Sequence, residues 1–324
     1  MASTFYAQVA SNRRNSFLLA LIVVALLAGL GFAVGYALTG DAAGAAGTTA
    51  FAVVIGAIAS AASYFAGDKL VLAASGAKQV DENSAPQLMN IVREMAIAAN
   101  VPMPKVHVID DTAPNAFATG RDPQHASIAV TTGLIEKLDR EELQGVIGHE
   151  LSHVRNFDIR FTLLVGVLVG SIALLSDFFL RFTFWGGARR SSRSREGGGG
   201  LQAIMFVVAI VLAVLAPIAA RLVQLAVSRQ REYLADASAV ELTRNPYGLE
   251  RALAKISGDT EVLEVANRAT QHLYFTNPIK KFEERSSKLF STHPPILERI
   301  NRLRELTGDP PIGSAEAAAL AGLD

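Results

Sequence analysis

The chain has 324 residues, with 30 Lys and Arg against 30 Asp and Glu, no Cys, half of its residues hydrophobic and only 19% charged. Zero net charge removes the electrostatic case for a nucleic-acid binder, and the apolar content excludes a disordered chain. Lack of Cys excludes disulfides, iron–sulfur clusters and Cys-based zinc sites, while a mean hydropathy of +0.30 places part of the chain outside water.

All 60 charged residues fall outside four stretches: 16–40, 42–67, 161–176 and 197–220. A bilayer-spanning helix needs about 20 mostly apolar residues. The first, second and fourth stretches meet that length, and the third reaches it only by taking in Asp177 or the turn before Phe161. The first apolar run exceeds the roughly 7–15 residues of a signal peptide, so it reads as a retained anchor behind Arg13-Arg14. Gly31 with Gly35, and Gly166 with Gly170, have GxxxG spacing; the frequency of Gly in membrane helices accounts for both pairs without a packing role. Pro217 is expected to kink the fourth segment. Arg13 and Arg14 precede the first span and only Asp41 separates the first two, which puts the N-terminus and the chain beyond Gly67 in the cytoplasm. The connection between the last two segments carries Arg181, Arg189, Arg190, Arg193 and Arg195. A full third span would place that basic loop outside. Either these segments form a hairpin that does not fully cross, or the first two spans overrule the loop.

Residues 68–160 read as a soluble α/β unit. APQLMNIVREMAIAAN predicts a helix stopping at Asn100 before Pro102, and Val106–Ile109 and Ser127–Val130 predict two strands. Asp139 with Glu142 three residues on forms a capping-box pattern. No Pro interrupts the helix it starts, which can run through ELQGVIGHELSHVRNFD towards the third apolar segment. Residues 221–324 read as helical, through QREYLADASAVEL, NPYGLERALAKISG and PPILERINRLREL, and the Gly/Ser/Arg-rich stretch 186–200 is low in complexity.

His149-Glu150-Leu151-Ser152-His153 is an H-E-x-x-H motif on a predicted helix. Spacing of i, i+4 puts both imidazoles on one face, where they can share a metal, and Glu150 can reach a neighbouring water as general base. Zn²⁺ suits two neutral His and a carboxylate. Glu232 and Asp236 repeat the i, i+4 spacing further on. One could ligate and the other hold an imidazole, or both could pair with Arg229 or Arg231 on a solvated face, the reading that spacing alone favours.

HELSHVRNFD, then SRQREYLADASAVELTRNP after two apolar segments, then LFSTHPPILERI together resemble the HtpX family of membrane zinc metallopeptidases, relatives of the CAAX prenyl proteases. The similarity spans essentially the whole chain. It implies a mainly α fold with a small α+β part, a zincin-like domain built on a membrane helix bundle of up to four segments. It implies one zinc ion per chain on His149, His153 and Glu232, Glu150 as catalytic base, and Asp236 behind a ligand imidazole. By the same resemblance Asn115, Ala116 and Phe117 belong to a strand edge that receives substrate, against a local pattern that equally fits a polar turn entering a core strand. His293 either sits near the zinc or the oxyanion, or merely enters a helix ahead of Pro294. His107, His125 and His272 match no ligand pattern.

The expected domain order is a cytoplasmic arm (1–15), two transmembrane helices (16–67), half of the peptidase domain (68–160), two hydrophobic segments with their Arg/Gly-rich loop at 181–200 (161–220), and the second half with the third ligand (221–324). His153 lies only eight residues before Phe161, about 12 Å of helix. The implied protein is a multi-pass endopeptidase of the bacterial inner membrane with its site facing the cytoplasm. Its partners are polypeptides, membrane proteins among them, and the lipid bilayer, but no nucleic acid. The family role is quality control of damaged or misfolded membrane proteins. A processing peptidase with defined substrates would share the same residues, and a non-catalytic membrane scaffold would leave the motif incidental.

Overall fold

The computed structural model describes residues 5–185, 199–259, 261 and 294–322. His272, His293 and the basic residues Arg189, Arg190, Arg193 and Arg195 lie outside the described residues. The chain divides into two compact units, one built from Ala10–Ser63 and Leu163–Ala226, the other from the described residues up to Val9, Tyr64–Thr162 and the described residues from Val227 onwards.

The first unit is a helix bundle. α1 (Phe5–Thr39) and α2 (Ala42–Ala74) form an antiparallel hairpin that turns at Gly40, whose φ of 83° suits glycine, and the Asp41 side chain accepts from the Gly44 amide at 2.6 Å to start α2. The GxxxG pair in α1 has a packing role after all. A Cβ on Gly35 would lie 2.8 Å from Ala45 Cα and 2.7 Å from Thr48 Cβ, and one on Gly31 would lie 3.3 Å from Thr49 Cα. Small residues on α1 let α2 approach closely. Gly170 meets nothing within 4 Å, so for it the frequency of Gly remains sufficient. α6 (Asp158–Trp185) and the 45-residue α7 (Gly199–Thr243) complete the bundle, α7 remaining one helix through Pro217. Leu30, Ala33 and Val34 of α1 pack with Ile172 and Phe179 of α6 and Ala209, Ala213 and Ala216 of α7. The third segment is longer than its charge-free stretch, because α6 continues through an exposed Asp177–Arg181 pair at 2.7 Å. Phe51, Ile58, Leu174, Ile204 and Val207 point outwards, each at least 60% exposed. Such a surface is costly in water and suited to hydrocarbon. Among the described residues one window, Ala203–Ala220, is both long and apolar enough to cross a membrane, with a mean hydropathy of 2.9.

The second unit holds a four-stranded mixed sheet, β1 (Lys78–Gln79), β2 (Lys105–Ile109), β3 (Ala116–Gly120) and β4 (Ala126–Thr131), in the order β1-β2-β4-β3. β2 and β4 are parallel, and both outer strands run antiparallel to their neighbours. β2 and β4 coincide with the two expected strands, and β1 and β3 are additional. Helices α3 (Pro86–Ala99) and α5 (Arg140–Arg155) pack on one face of the sheet through Leu88, Ile91, Val92, Val146, Ile147 and Leu151, over Val106, Ile128 and Val130. Asn100 ends α3 in the left-handed region at φ 52°. On the other face Phe117, Ile109 and Ala129 meet Val71 and Leu72 of α2. The short α4 (Thr132–Lys137) leads from β4 towards α5. α8 (Pro246–Gly258) crosses α5 where a Cβ on Gly145 would lie 2.8 Å from the Leu249 amide nitrogen, and α9 (Ile296–Thr307) and α10 (Ser314–Leu320) finish the helical layer.

The capping box at Asp139 and Glu142 is present in both directions, at 2.9 and 2.8 Å. The helix it starts does not run on into the third apolar segment, however. α5 stops at Arg155, Asn156 caps it, and Phe157 adopts φ 60° before α6 begins at Asp158.

Candidate metal centre and active site

α5 and α7 each carry an i, i+4 pair of chemistry-bearing residues, and the fold brings the two pairs together. One nitrogen each from His149 and His153 and one carboxylate oxygen from Glu232 all lie within 4.8 Å of one another. His149 Nε2 is 3.1 Å from His153 Nε2, and the Glu232 oxygens lie 3.7 Å and 3.5 Å from the two nitrogens. The distal ring nitrogens are held from behind: His149 Nδ1 donates to Asp236 Oδ1 at 2.9 Å, and His153 Nδ1 to Asp158 Oδ2 at 3.0 Å. Donation from both Nδ1 atoms fixes the tautomer and leaves both Nε2 atoms as lone pairs facing one another. Two lone pairs at 3.1 Å repel unless a proton or a metal ion lies between them.

Charge counting leads to the same requirement. Glu150, Asp158, Glu232 and Asp236 are all at most 5% exposed, as buried negative charges, and Arg231 and Arg299 are the buried positive ones at 6% and 0%. With both imidazoles neutral and all four carboxylates ionised, the state that receives a metal, the cluster carries a net charge of −2. A buried, uncompensated double charge is costly, and one divalent cation cancels it. Two imidazoles and a carboxylate, with no sulfur, form a ligand set that Zn²⁺ accepts with a fourth position open. The residues therefore fit the ion.

Arg299 Nε and Nη2 grip both oxygens of Asp236 at 2.8 and 2.6 Å, and Nη1 reaches Glu232 Oε2 at 3.5 Å. Arg231 Nη1 lies 3.0 Å from Asp158 Oδ1. The solvated-face alternative for Glu232 and Asp236 is thereby overturned: both carboxylates are buried, and Arg231 serves Asp158 instead. Asp158, Arg231 and Arg299 were not among the sequence candidates. Asp158 stood within the HELSHVRNFD motif and Arg299 within the HPPILERI motif, but no spacing rule links either to a metal ligand.

Burial pushes the His149 ring down to about 4, a shift that the Asp236 hydrogen bond opposes and the Arg299 charge assists. Burial would likewise lower His153, but hydrogen bonds to Asp158 and Glu232 outweigh it and raise the ring to about 10. The Glu150 carboxyl is raised to about 7, first by burial, with Glu232 adding repulsion against the pull of His153 and the Ala118 amide. A carboxylate poised near neutrality suits proton transfer.

Asn115 immediately precedes β3, and Ala116 and Phe117 lie within it. From Ala116 the segment is a strand at the end of the sheet order, entered through the irregular residues 112–115. Because the Thr131 amide donates to the Asn115 carbonyl, the alternation of an antiparallel pair turns the backbone groups of Ala116 and Ala118 away from β4. β3 is outermost by pairing but not by exposure, since all five residues are buried. The Asn115 side chain folds back to accept from the Ala116 amide at 3.0 Å. His107 is buried in β2, and His125 sits on the surface, bonded to Asp122 at 2.6 Å; neither approaches the ligand group.

The model of peptidase family M48 matches residues 82–307. A "Protease HtpX homolog" from Streptococcus gordonii is 44% identical over 301 residues, covering 93% of this chain and 99% of that protein. Another, from Streptococcus pneumoniae, is 46% identical over 304 residues with the same coverage. Among solved structures, the crystal structure of S. mikatae Ste24p matches at 20% identity with a TM-score of 0.49, covering 78% of this chain and 57% of that one.

Proposed function

The chain belongs to peptidase family M48 and, within it, to the HtpX zinc metallopeptidases, and we propose that it hydrolyses peptide bonds of membrane proteins at the cytoplasmic face of a bacterial inner membrane, in the removal of damaged or misfolded chains. The metal group is His149, His153 and Glu232. Zinc there supplies a Lewis acid that activates water and polarises a carbonyl. Glu150, beside the first ligand on α5, is the base: its carboxylate takes the proton of the attacking water and passes it to the leaving nitrogen. Asp236, locked by Arg299, holds His149 in the tautomer that turns Nε2 towards the metal. A peptide laid along the outer side of β3 would pair with the backbone carbonyls of Ala116 and Ala118, whose amides already bond Asn115 and Glu150, which keeps the scissile bond beside Glu150.

Glu150 carries this reading, as a buried carboxylate next to a ligand and raised to about 7. The membrane setting is supported by the outward apolar surfaces of α1, α2, α6 and α7, and the orientation by Arg13 and Arg14 ahead of the first span. Glu150→Gln is the test. Its expected result is wild-type zinc content with proteolysis reduced by about 10²–10⁴-fold. Equal proteolysis by wild type and variant would end the assignment. Cleavage confined to one site across a panel of unrelated denatured substrates would replace quality control with dedicated processing.

A further inference from the structure

The two ligand imidazoles are held by different means. His149 is backed by Asp236, one turn beyond Glu232 on the same helix. His153 is backed by Asp158, five residues further along its own chain. In a continuous helix, residues five apart point about 140° away from each other, so Asp158 could not reach His153. The chain achieves the contact by breaking at Asn156 and passing Phe157 through φ 60°. A bulky residue in the left-handed region is strained, and strain of this kind persists where the surrounding structure requires it. Here the break delivers the first residue of α6 to the back of a metal ligand.

Asp158 is also held from its other side. Arg231, 6% exposed, pairs with Oδ1 at 3.0 Å while Oδ2 serves His153. Arg231 and Glu232 are consecutive on α7. Glu232 stands 3.5 Å from His153 Nε2, and Arg231 acts on Nδ1 of the same ring through Asp158. α7 thus grips the His153 ring from the metal side and from behind.

Resting on the zinc-peptidase reading above, we propose that Asp158 and Arg231 form a positioning pair for His153. Asp158 fixes the tautomer and ring plane, and Arg231 fixes Asp158 and ties the α5–α6 junction to the metal. Both act from the Nδ1 side of the ring, behind the metal-facing Nε2. The pair is the counterpart of Asp236 and Arg299 behind His149, so each ligand imidazole has its own carboxylate and each carboxylate its own guanidinium.

The test uses full-length protein in detergent and reads the metal directly. Zinc dissociation constants by chelator competition, corrected for the protons each variant releases on binding, and the visible absorption of the cobalt-substituted protein, are compared for wild type, Asp158→Asn, Arg231→Met and Arg231→Lys. Removing a carboxylate behind a metal-ligating His costs about 10–100-fold in affinity. Asp158→Asn is expected to fall in that range with an altered cobalt spectrum, reflecting changed ligand geometry. Arg231→Met is expected to shift both readouts in the same direction, and Arg231→Lys to recover part of the loss. Affinity within twofold of wild type in Asp158→Asn, with an unchanged cobalt spectrum, overturns the proposal. Should that variant fail to fold, unchanged affinity in Arg231→Met overturns it. Failure of the wild type to hold about one zinc per chain would instead refute the zinc-peptidase reading itself.

Discussion

Raising the pH from 6 to 9 is expected to tighten zinc binding steeply, because the metal and a proton compete for His153. In the metal-free protein that ring is raised to about 10 by Asp158 and Glu232 against its burial. It is therefore protonated at neutral pH, and a ligand nitrogen must be deprotonated to bind metal. Displacing that proton at neutral pH lowers the apparent affinity for the metal. Affinity should rise about tenfold per pH unit between pH 7 and 9. Below pH 7 the dependence should steepen, since Glu150, raised to about 7, then carries a second proton that the metal charge expels. His149, lowered to about 4, adds no proton over this range. Fold stability follows the opposite sign. A raised His153 stabilises the metal-free fold fully below the ordinary value of 6.5, and that contribution is lost as pH rises through about 10. Chelator competition across pH 6–9 measures the slope. Calorimetry in two buffers of different ionisation enthalpy counts the protons, with about one expected per zinc at pH 8. A change of less than threefold between pH 7 and 9 would refute the charge assignment of the site.

Two further substitutions probe the architecture. Arg299→Met leaves Asp236 and Glu232 buried without their guanidinium; breaking a buried pair in this way costs about 3–5 kcal/mol, which thermal unfolding in detergent will show as a large drop in Tm. Gly35→Leu places a side chain where even a Cβ lies 2.7 Å from Thr48. Overpacking of this kind costs about 1–3 kcal/mol, and the variant should lose thermal stability while its folded fraction binds zinc as the wild type does.

What could be read from the sequence was whatever depends on local periodicity. The capping box announced the start of α5, the i, i+4 spacing announced a shared face, and the β-branched runs announced β2 and β4. β3 escaped a firm reading because Ala116-Phe117-Ala118-Thr119-Gly120 is poor in β-branched residues and is extended by pairing with β4. Phe157 gave no signal of the helix break, since neither Pro nor Gly marks it and the long-range ties of Asp158 hold the turn. Arg299 meets Asp236 across 63 residues of chain, a pairing that only the folded core creates. The Gly31–Gly35 pair shows the converse: its spacing was visible, and only the position of α2 could decide whether it packed.

The C-terminal third of α7 also acts as a ruler. Arg231, Glu232 and Asp236 hold their places through helical phase alone, about 100° and 1.5 Å per residue. One inserted residue between Glu232 and Asp236 would swing the latter by a quarter turn or more and strand Arg299 and His149 together. Length changes in the chain joining α6 to α7 leave that phase untouched. Related sequences that keep the activity should accordingly vary freely in the length of this connection and admit no insertion or deletion within the six residues from Arg231 to Asp236.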